Sequence, residues 1–591
     1  MSPGELLHQG CRHIWRPGKD SSRDIRLDLY VLMGLGLLLM GVGIGLRDPW
    51  PADEPRFALV AQDMVRSGEW LIPMIGGDTY ADKPPLYFWL IASVYALTGT
   101  LRIAFLLPSL LASLGSVALV YDLGRRLWNR EVGLAAGLLL LGTLQFVWQG
   151  RQAQIDATVS FWIVLGLYGL LRHLLLGPDW RWYYLGFAAA GLGIITKGVG
   201  FLPLLVLLPY SALRDARWSP RPVLLLPGQG AWRWVLGPVF MLAAIGLWLV
   251  PMLVESMNDP QLAAYRDEIL FRQTIDRYSN SWTHIRPAWY FVVNVIPPLW
   301  LPVSALLPWA VSGWRDAWRA YDLRIALLLA WPLLLLIFFS LSSGKRGVYI
   351  LPALPAVCLA MAPALLQKWS RAGVRRMLFG LALFIGVLCL SFAAYLLAMP
   401  QRRSDLAALY GIDAPGPLLC IGLAVVVCCG LTRLRFAPVA WFATLVTVLI
   451  VLGLWVNPAM NTIRSSEAFV RRVEAMTVFV PELGCVSCRE ENLLMSPRVL
   501  VNFGHARWND WQQEADDAAA WFAEKPGRML LVNERVRQRC FANSTLQALQ
   551  DGNREPWFLI SAGVAADCVR RGHAAAALTY FAAKLPNSGA L

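Results

Sequence analysis

Thirteen apolar stretches of 15–23 residues recur along this chain, at 28–46, 103–123, 132–148, 157–173, 182–196, 199–213, 234–254, 290–312, 325–341, 348–367, 377–399, 417–432 and 437–457. An uncharged run of roughly 17–25 apolar residues crosses the hydrocarbon core of a bilayer as one helix. No other feature limits the fold so strongly, because in lipid every backbone polar group must be satisfied internally. Composition agrees: 57% of residues are hydrophobic and 16% charged, against about 45–50% and 25% in soluble domains. A water-soluble or disordered chain is excluded. The expected class is an all-α polytopic membrane protein with about 13 transmembrane helices, three of them short (182–196, 199–213 and 417–432).

Charge placement sets the expected topology. Residues 1–27 form a basic leader (Arg12, Arg16, Lys19, Arg23, Arg26), with no small-residue cleavage site after the first stretch, so an uncleaved cytoplasmic N-terminus is expected. Every second connection is then basic, as at Arg125/Arg126/Arg130, Arg214/Arg217/Arg221, Arg315/Arg319/Arg324 and Lys368/Arg371/Arg375/Arg376. That register requires 84–98, short and aromatic, to lie in the outer interface. Nearly all of the +14 net charge falls on the cytoplasmic side. A nucleic-acid partner is therefore excluded, and the outer side is close to neutral while rich in both signs.

The transmembrane region is thus expected at 28–457, with long outer loops at 47–102 and 255–289. The tail, 458–591, is polar enough to be soluble and carries strand-like runs (VLVNF at 499–503, MLLVN at 529–533, WFLIS at 557–561) between helical stretches. It reads as a small α/β domain on the outer face of the membrane. There is no repeat of solenoid period and no low-complexity segment. Of ten cysteines, five lie in apolar stretches, Cys11 lies in the leader, and Cys485, Cys488, Cys540 and Cys568 lie in the tail. Four cysteines in an oxidising compartment predict two disulfides with three pairings open; the Cys485-x-x-Cys488 spacing also suits a redox pair or half a zinc site.

Ionisable residues at membrane depth or at helix ends are costly and point to function. They recur in five outer connections. The first loop opens with Asp53-Glu54-Pro55-Arg56 and closes with Asp82-Lys83-Pro84-Pro85. The next holds Arg151 and Asp156, then comes Thr196-Lys197-Gly198. The large loop carries Arg266, Arg272, Arg277, Tyr278 and His284, and the last turn reads Ser343-Gly344-Lys345-Arg346-Gly347-Val348-Tyr349. Singly, each has a structural reading: a helix N-terminus with a surface ion pair at Asp53 and Arg56, a snorkelling Lys83, an Arg151–Asp156 pair, headgroup contacts at Lys345 and Arg346, and a satisfied interfacial His284. Lipid anchoring does not call for acids beside the bases. Arginine forks and lysine point charges suit a phosphate, while a carboxylate can accept a proton from an attacking hydroxyl. No Walker A loop, GxGxxG, HExxH or GxSxG elbow sits where it would work. A lipid-linked phosphate donor in the bilayer is the substrate that fits.

These segments resemble a known family. DEPRFALVAQDMVRSGEWLIPMIGGDTYADKPPLYFW at 53–89 looks like the first-loop signature of the lipid A aminoarabinose transferases, within the protein mannosyltransferase-like, GT-C class of glycosyltransferases. RQAQIDA at 151–157, TKG at 196–198, RQTIDRY at 272–278 and SGKRGVYILPALP at 343–355 follow in the expected order. The likeness covers roughly 50–365. It implies a GT-C-like fold in a bacterial inner membrane, with the α/β tail periplasmic, and an inverting transferase that moves one sugar from a polyprenyl phosphate to lipid A or another envelope glycan at the periplasmic face. By the same resemblance Asp53 and Asp156 are catalytic, and Lys83, Arg277 and Tyr349 hold the donor phosphate. Lys345 and Arg346 join the phosphate set on position alone; Glu54, Asp82, Arg151, Lys197, Arg272 and His284 complete the candidates. The family has Glu where this chain has Asp82, and His where it has Arg272. Those family positions can hold a divalent metal, so neither metal nor cofactor is expected here. The alternatives are a protein O-glycosyltransferase, a transporter or flippase of lipid-linked sugars, and an envelope assembly scaffold.

Overall fold

The structure is a computed structural model and describes residues 22–213, 218, 230, 232–271, 284–504, 510–550, 556–576 and 578–581. The chain is a multi-span membrane protein with a small C-terminal sheet region, and its contacts divide it into two units. The first comprises 1–42, 108–395 and 415–452; the second comprises 43–107, 396–414 and 453–591.

Seven described helices are long and apolar enough to cross a membrane: Leu101–Leu127, Ile155–Leu176, Trp232–Ser256, Leu323–Leu341, Ala372–Ala398, Pro415–Thr432 and Leu434–Thr477. Two bent pairs raise the number to nine, Arg130–Leu141 with Leu144–Gly150 at 71° and Phe291–Leu299 with Val303–Arg319 at 102°. The thirteen apolar stretches are all helical, yet hydropathy counts do not register where a helix breaks. The stretch 199–213 becomes a 3-10 turn, Leu202–Val206, followed by the short helix Leu207–Ala212. Proline at 203 and 209 explains this, since neither can donate a backbone bond. The segment 84–98 is a 13-residue helix, Leu86–Thr98, too short at 1.5 Å per residue to span a bilayer.

Within the first unit, close backbone approach and buried polar ties set the packing. Gly133 lies against the helix Leu107–Leu127, where a Cβ would collide with the carbonyl of Tyr121. At the same end, Arg130 makes a two-pronged pair with buried Asp28 at 2.6 and 2.7 Å, and Tyr121 adds a bond of 2.9 Å. A charge in that setting needs such full pairing. Asn129, Asp179 and Asp322 cap their helices through side-chain oxygens, satisfying otherwise orphaned N–H groups.

The second unit holds two sheets. Strands β1 (Met74–Ile75) and β2 (Asp78–Thr79) form an antiparallel hairpin whose turn residues, Gly76 and Gly77, have φ of 60° and 93°, the conformation a two-residue turn demands. The tail folds as a six-stranded mixed sheet of β3 (Leu483–Cys485), β4 (Val499–Asn502), β5 (Met529–Asn533), β6 (Thr545–Gln550), β7 (Pro556–Ala562) and β8 (Leu578–Phe581), in the order β6-β7-β5-β3-β4-β8. β3 runs parallel to β4 and β5, with antiparallel strands at both flanks. The three strand-like runs of the sequence are β4, β5 and β7. Phe503, Trp521, Leu530, Val532, Phe541 and Ile560 fill the core. The disulfides are Cys485–Cys488 and Cys540–Cys568, which resolves the three open pairings. Asp516, Cys540 and Cys568 make the one metal-like donor group among the described residues, but its two sulfurs are bonded to each other.

Candidate functional site

In the second unit the first-loop motif is positioned by the start of one helix. Pro55 at the beginning of Glu54–Ser67 fixes a helical entry, and half-buried Asp53 takes the N-cap position without a side-chain capping bond. Glu54 is drawn away from solvent. Arg47 grips it with bonds of 2.5 and 2.7 Å and the Trp50 amide donates a third at 3.0 Å, so Glu54 shapes the loop. One turn on from Asp53, Arg56 donates to Glu490 at 2.6 Å and lies 3.9 Å from Asp82. Burial lowers the pKa of Arg56, and the charge of Glu490 and the bond to it more than reverse that. Tyr80 is driven upward by burial and then by Asp82, so its hydroxyl remains a donor. Lys83 follows, with Nζ on the carbonyl of Asp82 at 2.8 Å. Beneath, Phe57 packs on Tyr87 and Phe88 with ring centroids 5.5 and 5.7 Å apart, and Tyr80 meets Phe88 at 5.8 Å. The aromatic run after the two prolines is therefore the floor that fixes Asp53, Arg56, Asp82 and Lys83 relative to one another.

In the first unit Asp156 opens the helix Ile155–Leu176, where the helix dipole favours an anion. It does not pair with Arg151. Its partner is Lys197, the last residue of Trp180–Lys197, and Lys197 Nζ also lies 4.7 Å from the centre of the Tyr349 ring. Asp156, Lys197 and Tyr349, 193 positions apart at the extremes, thus meet. Arg151 instead ties carbonyls together, bonding Leu39 at 2.7 Å, Val42 at 2.9 Å and Leu449 at 3.3 Å.

The Ser343–Tyr349 turn is built by similar means. Lys345 is buried, and Nζ donates to the carbonyls of Arg286, at 3.0 Å, and Ser342; burial lowers its pKa. Its amide bonds the carbonyl of His284 at 3.0 Å, so His284, exposed and in a left-handed conformation at φ 59°, serves this turn through its backbone. Arg346 precedes the 3-10 turn Gly347–Ile350. Gln145 clamps that turn, donating to Gly347 O at 2.9 Å while accepting from Trp300 Nε1 at 2.7 Å. Arg272 and Arg277 lie outside the described residues.

Sequence reasoning treated Arg56 as a surface partner of Asp53 and passed over Glu490, Tyr80 and Gln145. The signal for Arg56 was present, since a position three after Asp53 on a helix lies on the same face. Glu490 carried none: a buried acid 434 residues away is joined to the first loop by tertiary folding alone.

The sequence profile of the dolichyl-phosphate-mannose-protein mannosyltransferase family matches residues 82–247. An undecaprenyl phosphate-α-4-amino-4-deoxy-L-arabinose arabinosyl transferase of Pseudomonas paraeruginosa is 32% identical over 72% of this chain and 74% of its own length. One from Pseudomonas aeruginosa is 33% identical over the same shares. The crystal structure of ArnT from Cupriavidus metallidurans bound to undecaprenyl phosphate superposes with a TM-score of 0.71 at 20% identity, covering 92% of this chain and 99% of that one. Its apo form gives 0.69.

Proposed function

The chain belongs to the undecaprenyl phosphate-aminoarabinose arabinosyl transferase family of GT-C glycosyltransferases, and from that premise we propose that it moves one sugar from an undecaprenyl-phosphate carrier to lipid A. The observation that carries the assignment to particular residues is the meeting of Asp156, Lys197 and Tyr349: an acid, a base and a phenol held together by tertiary structure at the ends of apolar helices. In this reading the chain sits in a bacterial inner membrane with its N-terminus inside and its tail in the periplasm.

The reaction forms a bond between an acceptor oxygen and the anomeric carbon and breaks the bond from that carbon to the carrier phosphate, with inversion. Negative charge develops on the departing phosphate. Lys83, Arg277, Arg346 and Tyr349 are assigned to stabilise it, a task in which fixed donors in a water-poor site are most effective. Lys345, whose Nζ is spent on two carbonyls, braces the turn that presents Arg346 and Tyr349. A lipid A phosphate is already an anion and needs no base, so Asp53 orients the sugar; with a hydroxyl acceptor it would take the proton. Asp156 fixes Lys197 against Tyr349.

The second reading, a protein O-glycosyltransferase, is favoured by the mannosyltransferase profile match. Mass spectrometry of lipid A, glycans and periplasmic proteins from a deletion strain separates the two. Loss of one sugar mass from lipid A is expected. Loss from a periplasmic protein instead would establish the second reading.

A further inference from the structure

The first unit carries a second feature at the end away from Lys345 and Tyr349. The helix Ala353–Lys368 follows that turn and ends at Lys368; its 16 residues separate the two ends by about 24 Å. Near the Lys368 end a crevice of ≈ 60 Å³ opens between helices. Its wall includes Leu138, Gly142, Pro302, Trp369, Pro438 and Phe442. It reaches from Trp369 and Pro438, at helix ends, to Gly142 and Pro302, where the two bent pairs break. Apolar groups line it, and Leu138 and Phe442 remain half-buried, so it is open to its surroundings.

The mouth is basic. Arg371 and Arg375 follow Trp369 by two and six positions, Arg376 adjoins them, and Arg433 and Arg435 precede Pro438. None of the five has a carboxylate partner among the described residues. Of the acids in the other basic connections, Asp28 is paired with Arg130, Asp122 with Arg125 and Arg126, and Asp322 with Arg324. Lys368 is bonded to the carbonyl of Trp309 at 2.7 Å. Arg375 stands three residues before the crevice residue Leu378, on one helix face with it.

We propose that this crevice and the arginines at its mouth form a binding site for an anionic glycerophospholipid of the adjacent membrane leaflet. A segment of one acyl chain lies in the apolar crevice and the headgroup phosphate is held by Arg371, Arg375 and Arg435. Topological arginines alone do not call for an apolar cleft opening among them, and a neutral lipid does not call for five guanidinium groups that lack a carboxylate partner among the described residues. The carrier phosphate is a separate ligand, since Arg346 and Tyr349, both assigned to it, precede the Ala353–Lys368 helix at its other end.

The test uses the full chain exchanged into phosphatidylcholine discs with increasing phosphatidylglycerol, and retained lipid is counted by native mass spectrometry. One phosphatidylglycerol per chain is expected to be held ahead of phosphatidylcholine. R375S, in the first turn of Ala372–Ala398, and R435S, at an exposed position in the 3-10 turn Leu434–Phe436, are each expected to weaken retention about five-fold, the worth of one basic residue near an anionic headgroup. L138W, which fills the crevice, is expected to abolish it. Equal retention of the two lipids would overturn the proposal, as would wild-type retention by L138W. So would displacement of phosphatidylglycerol by equimolar undecaprenyl phosphate, which would assign the crevice to the carrier's chain. None of these readouts depends on sugar transfer, so failure here is distinct from failure of the transferase assignment.

Discussion

At Asp156 the physics is that of a buried ion pair. The carboxylate and Lys197 are 8% and 14% exposed, and deleting one partner of such a pair leaves an uncompensated charge at a cost of about 3–5 kcal/mol. Asp156→Asn should therefore lower both thermal stability and turnover. The double variant D156N/K197M should recover most of the stability, read by thermal unfolding, without recovering transfer, because the cation beside Tyr349 is gone. Lys83→Ala should reduce turnover about 100-fold or more while membrane insertion is unchanged, assayed with purified lipid-linked donor; wild-type turnover would remove it from the phosphate set. Arg56 gives a third case. Glu490→Gln removes the charge that fixes Arg56 beside Asp82, and we expect at least a ten-fold loss of turnover with both tail disulfides still formed. Unchanged kinetics would show that Arg56 is held well enough by Asp82 and Tyr80.

Among elements, the tail sheet depends on two unequal cross-links. Cys540–Cys568 closes a separation of 28 residues, for which loop-closure entropy gives about 3–4 kcal/mol. Cys485–Cys488 closes only three and constrains the unfolded chain far less. C540A/C568A should thus lower the denaturation midpoint of the tail much more than C485A/C488A, measured by limited proteolysis in urea. Asp516 ties the same region. Burial raises its pKa, but Arg539 and Arg571, which bond it at 2.8 and 2.9 Å, outweigh burial and hold it below the ordinary carboxylate value. A depressed folded pKa contributes stability above the unfolded value, about 3.9, and that contribution disappears as pH falls through the folded pKa. Proteolytic resistance of the tail should accordingly drop below about pH 4 in the wild type. D516N should be weaker at neutral pH and show a flatter acid profile.

For the whole molecule, orientation follows from where lysine and arginine lie along the chain. A phosphatase reporter fused after Tyr410 should be active, and one fused after Arg319 inactive; the reverse pattern would invert the proposed topology. Membrane class, helical content and the sheet region of the tail were legible in the sequence, because the length of an apolar run and the period of a strand are local properties. The segments around Asp53, Lys83 and Tyr349 could be singled out as candidates as well, since each is a short local run of charged and aromatic residues. Helix breaks at Gly142 and near Pro302, the disulfide partners, and the choice of Lys197 over Arg151 for Asp156 were not. Those depend on which residues meet across tens to hundreds of positions, where packing, desolvation and the need to pair every buried charge decide the outcome. The sequence alone determined that this chain enters a membrane and that acids and bases recur between its apolar stretches. Only the tertiary structure decided which of them touch, because a buried charge takes its partner from whatever folding brings within hydrogen-bond reach.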